Sequence, residues 1–309
     1  MLFVDPVFKQ HRTAPGHPES PARIDALIAA FEVAGLTTAF DQTEPREATL
    51  DELFRAHEST YVESVLARIE SGVESLAGGD VSVGPASGQI ARLATGTVLA
   101  ATDAVCTGST QTAFCATRPP GHHASADRPM GFCIFNHVAV AARHAQAVHG
   151  LERIAILDWD VHHGNGSQDI FYEDSSVFFA STHQSPWYPG TGTRDETGRG
   201  PGLGTTFNRP LPARSGRRDI FDAFQRDIFP AVREFGPDLI IISAGFDSRI
   251  GDPLGDFTLT DHDFADLTAL VRETAAEVCN GRIVSVLEGG YSLPGLASAA
   301  TAHSVALFR

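Results

Sequence analysis

Five short runs of β-forming residues constrain the fold of this chain more than any other feature. They are nearly continuously apolar and lack the alternation that marks a half-exposed strand, so each is predicted to be a central strand buried on both faces. The runs are TAFCAT (112–117), RIAILDWD (153–160), SVFFAST (176–182), DLIIISAG (238–245) and RIVSVLEGG (282–290). Each is followed by a loop and usually by a helix. Strands that alternate with helices indicate a parallel sheet in an α/β fold.

Helices are predicted before the first of these strands as well. The segment SPARIDALIAAF places Ile24, Leu27 and Phe31 on one helical face. Neither a repeat nor a linker divides the 309 residues, so residues 1–309 are predicted to form a single domain. Three further helices are predicted over residues 49–57, 59–71 and 87–105.

The formal net charge of −15 restricts the partners of the chain. Nucleic acids and anionic membranes repel an acidic surface, so neither is expected to bind. The first residues contain no basic segment followed by a long apolar stretch, and no run is long enough to span a membrane. Scattered cysteines without a C-x-x-C pair are typical of free thiols in a reducing cytoplasm; they are Cys106, Cys115, Cys133 and Cys279.

Polar loops follow all five predicted strands. In strand order, they are RPPGHH, DWDVHHGNG, STHQSPWYPGTG, GFDS and EGGY. Sites in open parallel α/β sheets form at the carboxyl ends of the strands. The five loops are therefore expected to converge on one place and to form a functional site there.

Three residues in these loops are candidate metal ligands. Asp160 and His162 are two apart on an extended segment, so both side chains can point to the same side. Asp247 follows a very apolar run, where an unpaired buried carboxylate would be costly. Together they would leave a fourth coordination position open, as in catalytic zinc sites, although iron and cobalt accept the same mixed ligands. The alternative is that Asp160 caps the next helix and His162 is an ordinary loop residue.

The adjacent residues His122 and His123 lie among glycines and prolines, where a helix cannot persist. They either face solvent or handle protons beside an electrophile, since histidine accepts and donates protons near neutral pH. In the second case, Asp158 and Asn165 can hold the two rings in different protonation states. Tyr291 follows two glycines that permit a close backbone approach, and its hydroxyl can donate to an oxyanion. A packed aromatic residue is the alternative for this tyrosine.

Eight stretches between Gly16 and Tyr291 give the chain its resemblance to a known family. It resembles the zinc-dependent histone deacetylase and acetylpolyamine amidohydrolase superfamily, and in particular the class II branch and its bacterial relatives. The resemblance implies the arginase–deacetylase fold, with a central, mainly parallel sheet of about eight strands flanked by helices on both faces. The stretches are GHPESPAR, RPPGHHA, GFCIFN, DWDVHHGNG, YPGTG, SAGFDS, GDPLG and LEGGY.

The resemblance also implies a role for each candidate residue. His123 matches the general base and acid, with Asn165 beside it, and His122 matches the electrostatic partner, with Asp158 behind it. Tyr291 matches the tyrosine that polarises the substrate carbonyl. One zinc ion per chain would be held by Asp160, His162 and Asp247. A structural potassium ion, or sodium in its place, would be held by Asp158, Asp160, His162, Ser181 and Thr182.

An acyl-lysine tunnel is implied as well. Phe132 and Tyr188 match its aromatic walls and Gly131 its floor, and Leu254 and Gly289 complete it. Leu254 is apolar at the position where a polyamine-selective relative carries glutamate. This difference argues against strict polyamine specificity.

The sequence thus predicts a cytoplasmic, zinc-dependent hydrolase that removes an acyl group, most simply acetyl, from acyl-lysine or from a small amine amide such as an acetylpolyamine. Its substrate would be a small molecule or a peptide, and the chain is expected to act alone or as a homo-oligomer. Two alternatives are kept. An arginase-type ureohydrolase would need a binuclear manganese site with more aspartate ligands. A non-catalytic module that binds an acylated amide would be expected to have lost a ligand or the tyrosine.

Overall fold

The computed structural model describes residues 1–39 and 45–309. Its strands are β1 (Leu2–Phe3), β2 (Ser75–Leu76), β3 (Val81–Ser82), β4 (Thr112–Cys115), β5 (Ile154–Asp158), β6 (Val177–Gln184), β7 (Thr206–Leu211), β8 (Leu239–Ala244) and β9 (Ile283–Leu287). Seven of them form the central sheet in the order β1-β4-β9-β8-β5-β6-β7. Every pairing in this sheet is parallel.

The helices connect these strands and cover the sheet. They are α1 (Ala22–Val33), α2 (Leu36–Ala39), α3 (Leu50–Leu53), α4 (Ser59–Glu70), α5 (Ser87–Cys106), α6 (His137–His149), α7 (Asn165–Phe171), α8 (Arg217–Ala223), α9 (Phe229–Phe235), α10 (Asp261–Val278) and α11 (Leu293–Leu307). A π-helical turn, Phe224–Ile228, joins α8 to α9.

The central strands are buried on both faces, as predicted. Every residue of β5, β8 and β9 is buried. Successive side chains of a strand point to opposite faces, so Ala155 and Leu157 join one core cluster while Ile154 and Ile156 join the other. Helices α1, α10 and α11 contribute to the first cluster, and α4 and α6 to the second. The predicted parallel α/β fold with helices on both faces is therefore confirmed.

All five predicted strands are present, with small differences at their ends. Within the described residues the sheet has seven strands, close to the number of about eight that was expected. The extended segments β2 and β3 pair antiparallel with each other in a separate two-stranded sheet. The short turn between them permits a hairpin but not the long crossover that a parallel pair needs.

The two edge strands, β1 and β7, were not predicted. Strand β1 has only two residues, and β7 contains Pro210 and follows a glycine-rich segment. An edge strand is paired on one side only, so it tolerates proline and does not need a continuous apolar run. Both strands therefore lack the signal that marks the five buried ones.

Three of the four helices predicted early in the chain are confirmed, as α1, α4 and α5. The helix predicted over residues 49–57 ends at Leu53. His57 leaves the helix because its ring hydrogen-bonds to two backbone groups, the carbonyl of Ser125 and the N–H of Asn136, both at 2.9 Å. These long-range hydrogen bonds outweigh the local helical tendency.

The four cysteines are free thiols, as predicted, and Cys115, Cys133 and Cys279 are buried. Within residues 1–39 and 45–309, no helix combines the length and the apolarity required to cross a membrane.

Gly96 is the position where the fold should tolerate a side chain least. It lies in α5, and an added Cβ would overlap the carbonyl oxygen of Arg46 and lie 2.6 Å from the backbone nitrogen of Ala48. Backbone atoms cannot move aside as a side-chain end can. We therefore expect Gly96→Ala to reduce the free energy of unfolding by at least the ~1–3 kcal/mol typical of overpacking, as measured by urea denaturation.

Gly88→Ala is the matched control in the same helix. Its Cβ would lie 3.1 Å from Cδ2 of Leu66, a flexible side-chain end. Alanine favours a helix over glycine by about 1 kcal/mol, so this variant should be close to the wild type or more stable. Equal stability of the two variants would show that α5 does not pack as tightly against the segment at Arg46 as the structure indicates.

Candidate active site

The polar loops meet at the carboxyl edge of the sheet, as expected, and enclose a cavity of about 230 Å³. Most of its lining was singled out from the sequence: His123, Gly131, Phe132, His162, Tyr188, Leu254 and Tyr291. The remaining lining residues, Asp80 and Trp187, were not.

The three predicted metal ligands come together beside this cavity. Asp160, His162 and Asp247 each offer a ligand atom within 4.8 Å of the others. Nδ1 of His162 lies 3.1 Å from Oδ1 of Asp160 and 3.2 Å from Oδ2 of Asp247. Asp160 follows β5 and Asp247 follows β8, and these strands are neighbours in the sheet. Strand pairing thus assembles ligands that are far apart in the sequence.

The charge and the donor atoms of this ligand group fit a divalent metal ion. Oδ2 of Asp247 is buried and accepts from no backbone N–H group; it lies 3.2 Å from Nδ1 of His162. Burial raises the pKa of Asp247 to about 7, and the charge of Asp160 adds to the effect. Two carboxylates buried side by side are costly unless a cation compensates them. An imidazole nitrogen with carboxylate oxygens is a donor set that zinc accepts.

Two glycines keep the ligand carboxylates accessible. An added Cβ at Gly245 would overlap Oδ2 of Asp160, and one at Gly289 would overlap Oδ2 of Asp247. The N–H of Gly289 also donates to Oδ2 of Asp160 at 2.8 Å. Gly289 was assigned to the tunnel; in the structure it lies against the two ligand carboxylates. Any side chain at either glycine would occupy the space beside them.

A second group of metal-binding residue types, Asp103, His144 and His149, lies outside the cavity lining. Nε2 of the two histidines lies 2.6 and 2.7 Å from the same oxygen of Asp103. Nη1 of Arg55 lies 2.5 Å from Nδ1 of His144. Arginine only donates, so Nδ1 accepts and a neutral ring carries its proton on Nε2. That proton is donated to Asp103, so in this structure the three residues form a hydrogen-bonded cluster.

His122 and His123 are buried side by side, with ring centroids 4.0 Å apart. Nδ1 of His122 donates to Oδ2 of Asp158 at 2.9 Å, and Nδ1 of His123 donates to Oδ1 of Asn165 at 2.7 Å. Each ring therefore contacts the partner that was named for it from the sequence. Because Nδ1 donates in both rings, Nε2 of a neutral ring is free to accept a proton.

The two histidines have opposite proton affinities. Burial alone would lower the pKa of His122, but the charges of Asp158 and Asp160 outweigh it and raise the pKa to about 10. Burial lowers the pKa of His123 well below its ordinary value, and the neighbouring His122 lowers it further. The surroundings of the two rings therefore favour the cation of His122 and the neutral form of His123.

Tyr291 lies in the cavity, and the guanidinium of Arg23 lies 5.1 Å from the centre of its ring. The backbone N–H groups of Tyr291 and Ser292 donate to Oδ2 of Asp252 at 2.7 and 3.0 Å. Burial, followed by the charge of Asp247, raises the pKa of Tyr291 well above its ordinary value. The hydroxyl therefore keeps its proton and can donate a hydrogen bond.

Aromatic rings form the walls of the cavity. The ring of Tyr188 meets that of His123 edge-on at 5.3 Å, and Phe132 meets Tyr291 in the same way at 5.9 Å. Gly131 has a positive φ of 54°, and a Cβ there would overlap the ring of His123. Only glycine at position 131 leaves enough room for the ring of His123.

Asp80 and Trp187 were missed by sequence reasoning. Oδ2 of Asp80 accepts from the N–H of Gly131 at 2.6 Å and from the hydroxyl of Tyr188 at 3.0 Å. Nε1 of Trp187 donates to the carbonyl of Leu254 at 2.9 Å, which links two loops at the cavity. Asp80 is the last residue of the β2–β3 connection and belongs to no motif. For Trp187, the available signal was its place beside Tyr188 in a polar loop.

The residues assigned to a structural monovalent ion also lie close together. Asp158 is the register partner of Ser181 across β5 and β6, and Thr182 follows on β6. Oδ1 of Asp158 accepts from the N–H of Asp160 at 3.0 Å, and Oδ1 of Asp160 accepts from the N–H of His162 at 2.9 Å. Oγ1 of Thr182 is buried and makes no hydrogen bond.

Residues 17–307 match the model of the histone deacetylase domain. The chain is 42% identical over 284 residues to the histone deacetylase-like amidohydrolase of Pseudomonas aeruginosa, covering 92% of this chain and 74% of that protein. It is 40% identical over 290 residues to the human polyamine deacetylase HDAC10, covering 90% of this chain and 43% of that protein. The crystal structure of the HDA15 HD domain has a TM-score of 0.93 to this fold at 36% identity, covering 99% of this chain and 90% of that chain.

The likeness extends over nearly the whole chain and includes every loop that lines the cavity. The resemblance found in the sequence is therefore confirmed, and with it the arginase–deacetylase fold. The chain belongs to the histone deacetylase family, a family of hydrolases of acetylated amides.

Proposed function

We propose that this chain removes an acyl group, most simply acetyl, from acyl-lysine or from a related small amine amide. One observation carries the proposal: a proton-accepting histidine, a hydroxyl donor and a metal-ligand group border the same cavity. His123, Tyr291 and His162 all line it. Metal-assisted amide hydrolysis uses all three functions at one carbonyl group.

The ligand group would hold one zinc ion per chain through Asp160, His162 and Asp247. Zinc bound there supplies a Lewis acid that polarises the acyl carbonyl. His123, neutral and open at Nε2, takes a proton from the attacking water and returns it to the leaving amine. Protonated His122 places a positive charge beside the developing oxyanion, and the hydroxyl of Tyr291 donates a hydrogen bond to it.

The substrate would be an acylated amine on a slender apolar stem. Phe132 and Tyr188 flank the cavity with aromatic surface, and Leu254 adds aliphatic surface to it. The names of the relatives include an amidohydrolase and a polyamine deacetylase, which supports small molecules as well as peptides. Since Leu254 carries no charge to attract a second ammonium group, we do not expect strict polyamine specificity.

The proposal includes a structural potassium or sodium ion held by Asp158, Asp160, His162, Ser181 and Thr182. The buried, unpartnered Oγ1 of Thr182 supports it, because a buried hydroxyl oxygen without a partner is costly. We further propose a single catalytic domain, which the shared core on both faces of one sheet supports. The cytoplasmic location, the absence of nucleic acid and membrane partners and the homo-oligomer stay predictions.

The two alternatives have less support. A binuclear ureohydrolase needs more aspartate ligands than the ligand group of two aspartates and one histidine offers. A module that only binds its ligand has no need for the divided protonation of His122 and His123. Metal analysis separates the ureohydrolase, since two ions in the cavity would favour it.

Asp247→Ala should abolish both zinc binding and amidase activity, because it removes a ligand and leaves the fold in place. Zinc content is measured by elemental analysis and activity with an acetyl-lysine peptide. Asp103→Ala is the matched control: it removes an aspartate from the second histidine cluster and should leave zinc content and turnover unchanged. Full activity in a stringently metal-free wild-type preparation would contradict the zinc requirement.

Substitution of the two histidines should have unequal effects. His123→Ala removes the proton carrier and should lower turnover by about 10²–10⁴-fold. His122→Ala removes a charge beside the oxyanion and should lower turnover less. Both variants are compared by kcat with zinc content as a check. Equal activity of the two variants would mean that the assignment of the two roles is wrong, and a greater loss with His122→Ala would mean that the roles are reversed.

Tyr291→Phe keeps the ring and removes the hydroxyl. A single donor to an oxyanion is worth about 10²–10³-fold in turnover, so kcat on an acetyl amide should fall by that order. Zinc content and binding of a hydroxamate chelator should persist. A trifluoroacetyl amide should lose less, since its carbonyl needs less polarisation. Equal losses on both substrates would indicate that Tyr291 positions the substrate and does not stabilise charge.

A further inference from the structure

The turn that carries the two histidines belongs to no helix or strand. It is held instead by side chains from other parts of the chain. Its carbonyl groups at Pro119, Ala124 and Ser125 accept hydrogen bonds from His137, Asn136 and His57 respectively. Its N–H groups at Gly121 and His122 both donate to one atom, Oε2 of Glu288, at 2.6 and 3.1 Å.

A glutamate at position 288 is unfavourable for stability. It directly follows β9 and is fully buried. Its second oxygen, Oε1, makes no hydrogen bond. A buried carboxylate is costly, and an apolar residue of similar volume is often neutral or stabilising in such a place. What an apolar residue cannot do is accept from the two N–H groups that precede His123.

Glu288 also connects the turn that carries the two histidines to the segment that carries Tyr291. The next residue, Gly289, donates its N–H to Oδ2 of Asp160, and Tyr291 lies two residues further on, in the cavity. Arg23 holds this segment through the carbonyl groups of Glu288 and Gly290, at 2.5 and 2.7 Å. The segment is therefore fixed, and the turn that carries the histidines is attached to it by the carboxylate.

We propose that Glu288 is a positioning residue: through the N–H groups of Gly121 and His122, its carboxylate sets His123 at the correct distance from Tyr291 and from the ligand group. This inference rests on the proposed amide hydrolysis. Glu288 does not line the cavity, and it contacts the turn through these two hydrogen bonds. A displacement of about 1 Å in a reacting group can cost about 10²-fold in rate.

Two variants of matched size separate hydrogen bonding from packing. Glu288→Gln keeps an oxygen that accepts from both N–H groups, whereas Glu288→Met fills the same space without an acceptor. We expect Glu288→Met to lose up to about 10²-fold in kcat, with KM for an acetyl-lysine peptide, zinc content and hydroxamate affinity little changed. Glu288→Gln should restore most of the turnover.

Ser285→Ala is the control for stability on the same strand. Ser285 is buried and hydrogen-bonds to His303 at 2.9 Å, so its loss should lower Tm without lowering kcat. Hydrogen exchange of the peptide containing residues 119–125 provides a readout that does not depend on activity. It should accelerate in Glu288→Met and remain slow in Glu288→Gln and Ser285→Ala.

Wild-type turnover in Glu288→Met, or equal losses of turnover in Glu288→Met and Glu288→Gln, would overturn the positioning role. So would a loss of zinc or hydroxamate binding that parallels the loss of kcat, since the effect would then be general. A wild-type enzyme without zinc-dependent amidase activity would overturn the proposed function instead. In that case, unchanged exchange in Glu288→Met would still overturn the contact between Glu288 and the turn.

Discussion

Asp160 and Asp247 are buried together at the carboxyl ends of neighbouring strands, and much of the surrounding structure serves to hold them there. Such a pair is unfavourable without a cation. The N–H groups of His162, Val161 and Gly289 donate to three of their four oxygens, which leaves Oδ2 of Asp247 without a backbone donor. The two carboxylates therefore need a positive charge beside them. Because strand pairing fixes the positions of Asp160 and Asp247, it also fixes where that charge is bound and where the reaction takes place.

The part of the fold that could be predicted is the part that is buried on both faces. Strands β5, β8 and β9 carry continuous apolar runs because no residue in them meets water, and their loops could be placed at one edge from the parallel arrangement alone. The edge strands β1 and β7 gave no such signal. Their pairing is decided by neighbours in the sheet and not by their own composition.

The residues of the site likewise divide into those that could be predicted from the sequence and those that could not. Asp160, His162, His122 and His123 stand in compact motifs, so spacing and chemical type identified them before any geometry was known. Asp80, Asp252 and Glu288 act on backbone N–H groups that are distant in the sequence. A hydrogen bond between a side chain and a remote backbone group leaves no pattern in a single sequence, because any residue can provide the N–H. The roles of these residues become visible only when the chain is folded.

The two histidines show how such remote contacts determine chemistry. His122 and His123 are the same residue type in the same turn, and both are buried. A carboxylate on Nδ1 of His122 favours its cation, whereas the neutral amide on Nδ1 of His123 provides no charge to offset burial. The charge of His122 then disfavours a second cation next to it. Asp158 therefore favours the cationic form of His122, whereas Asn165 leaves His123 neutral and able to accept a proton. The turn has only to keep each ring against its own partner.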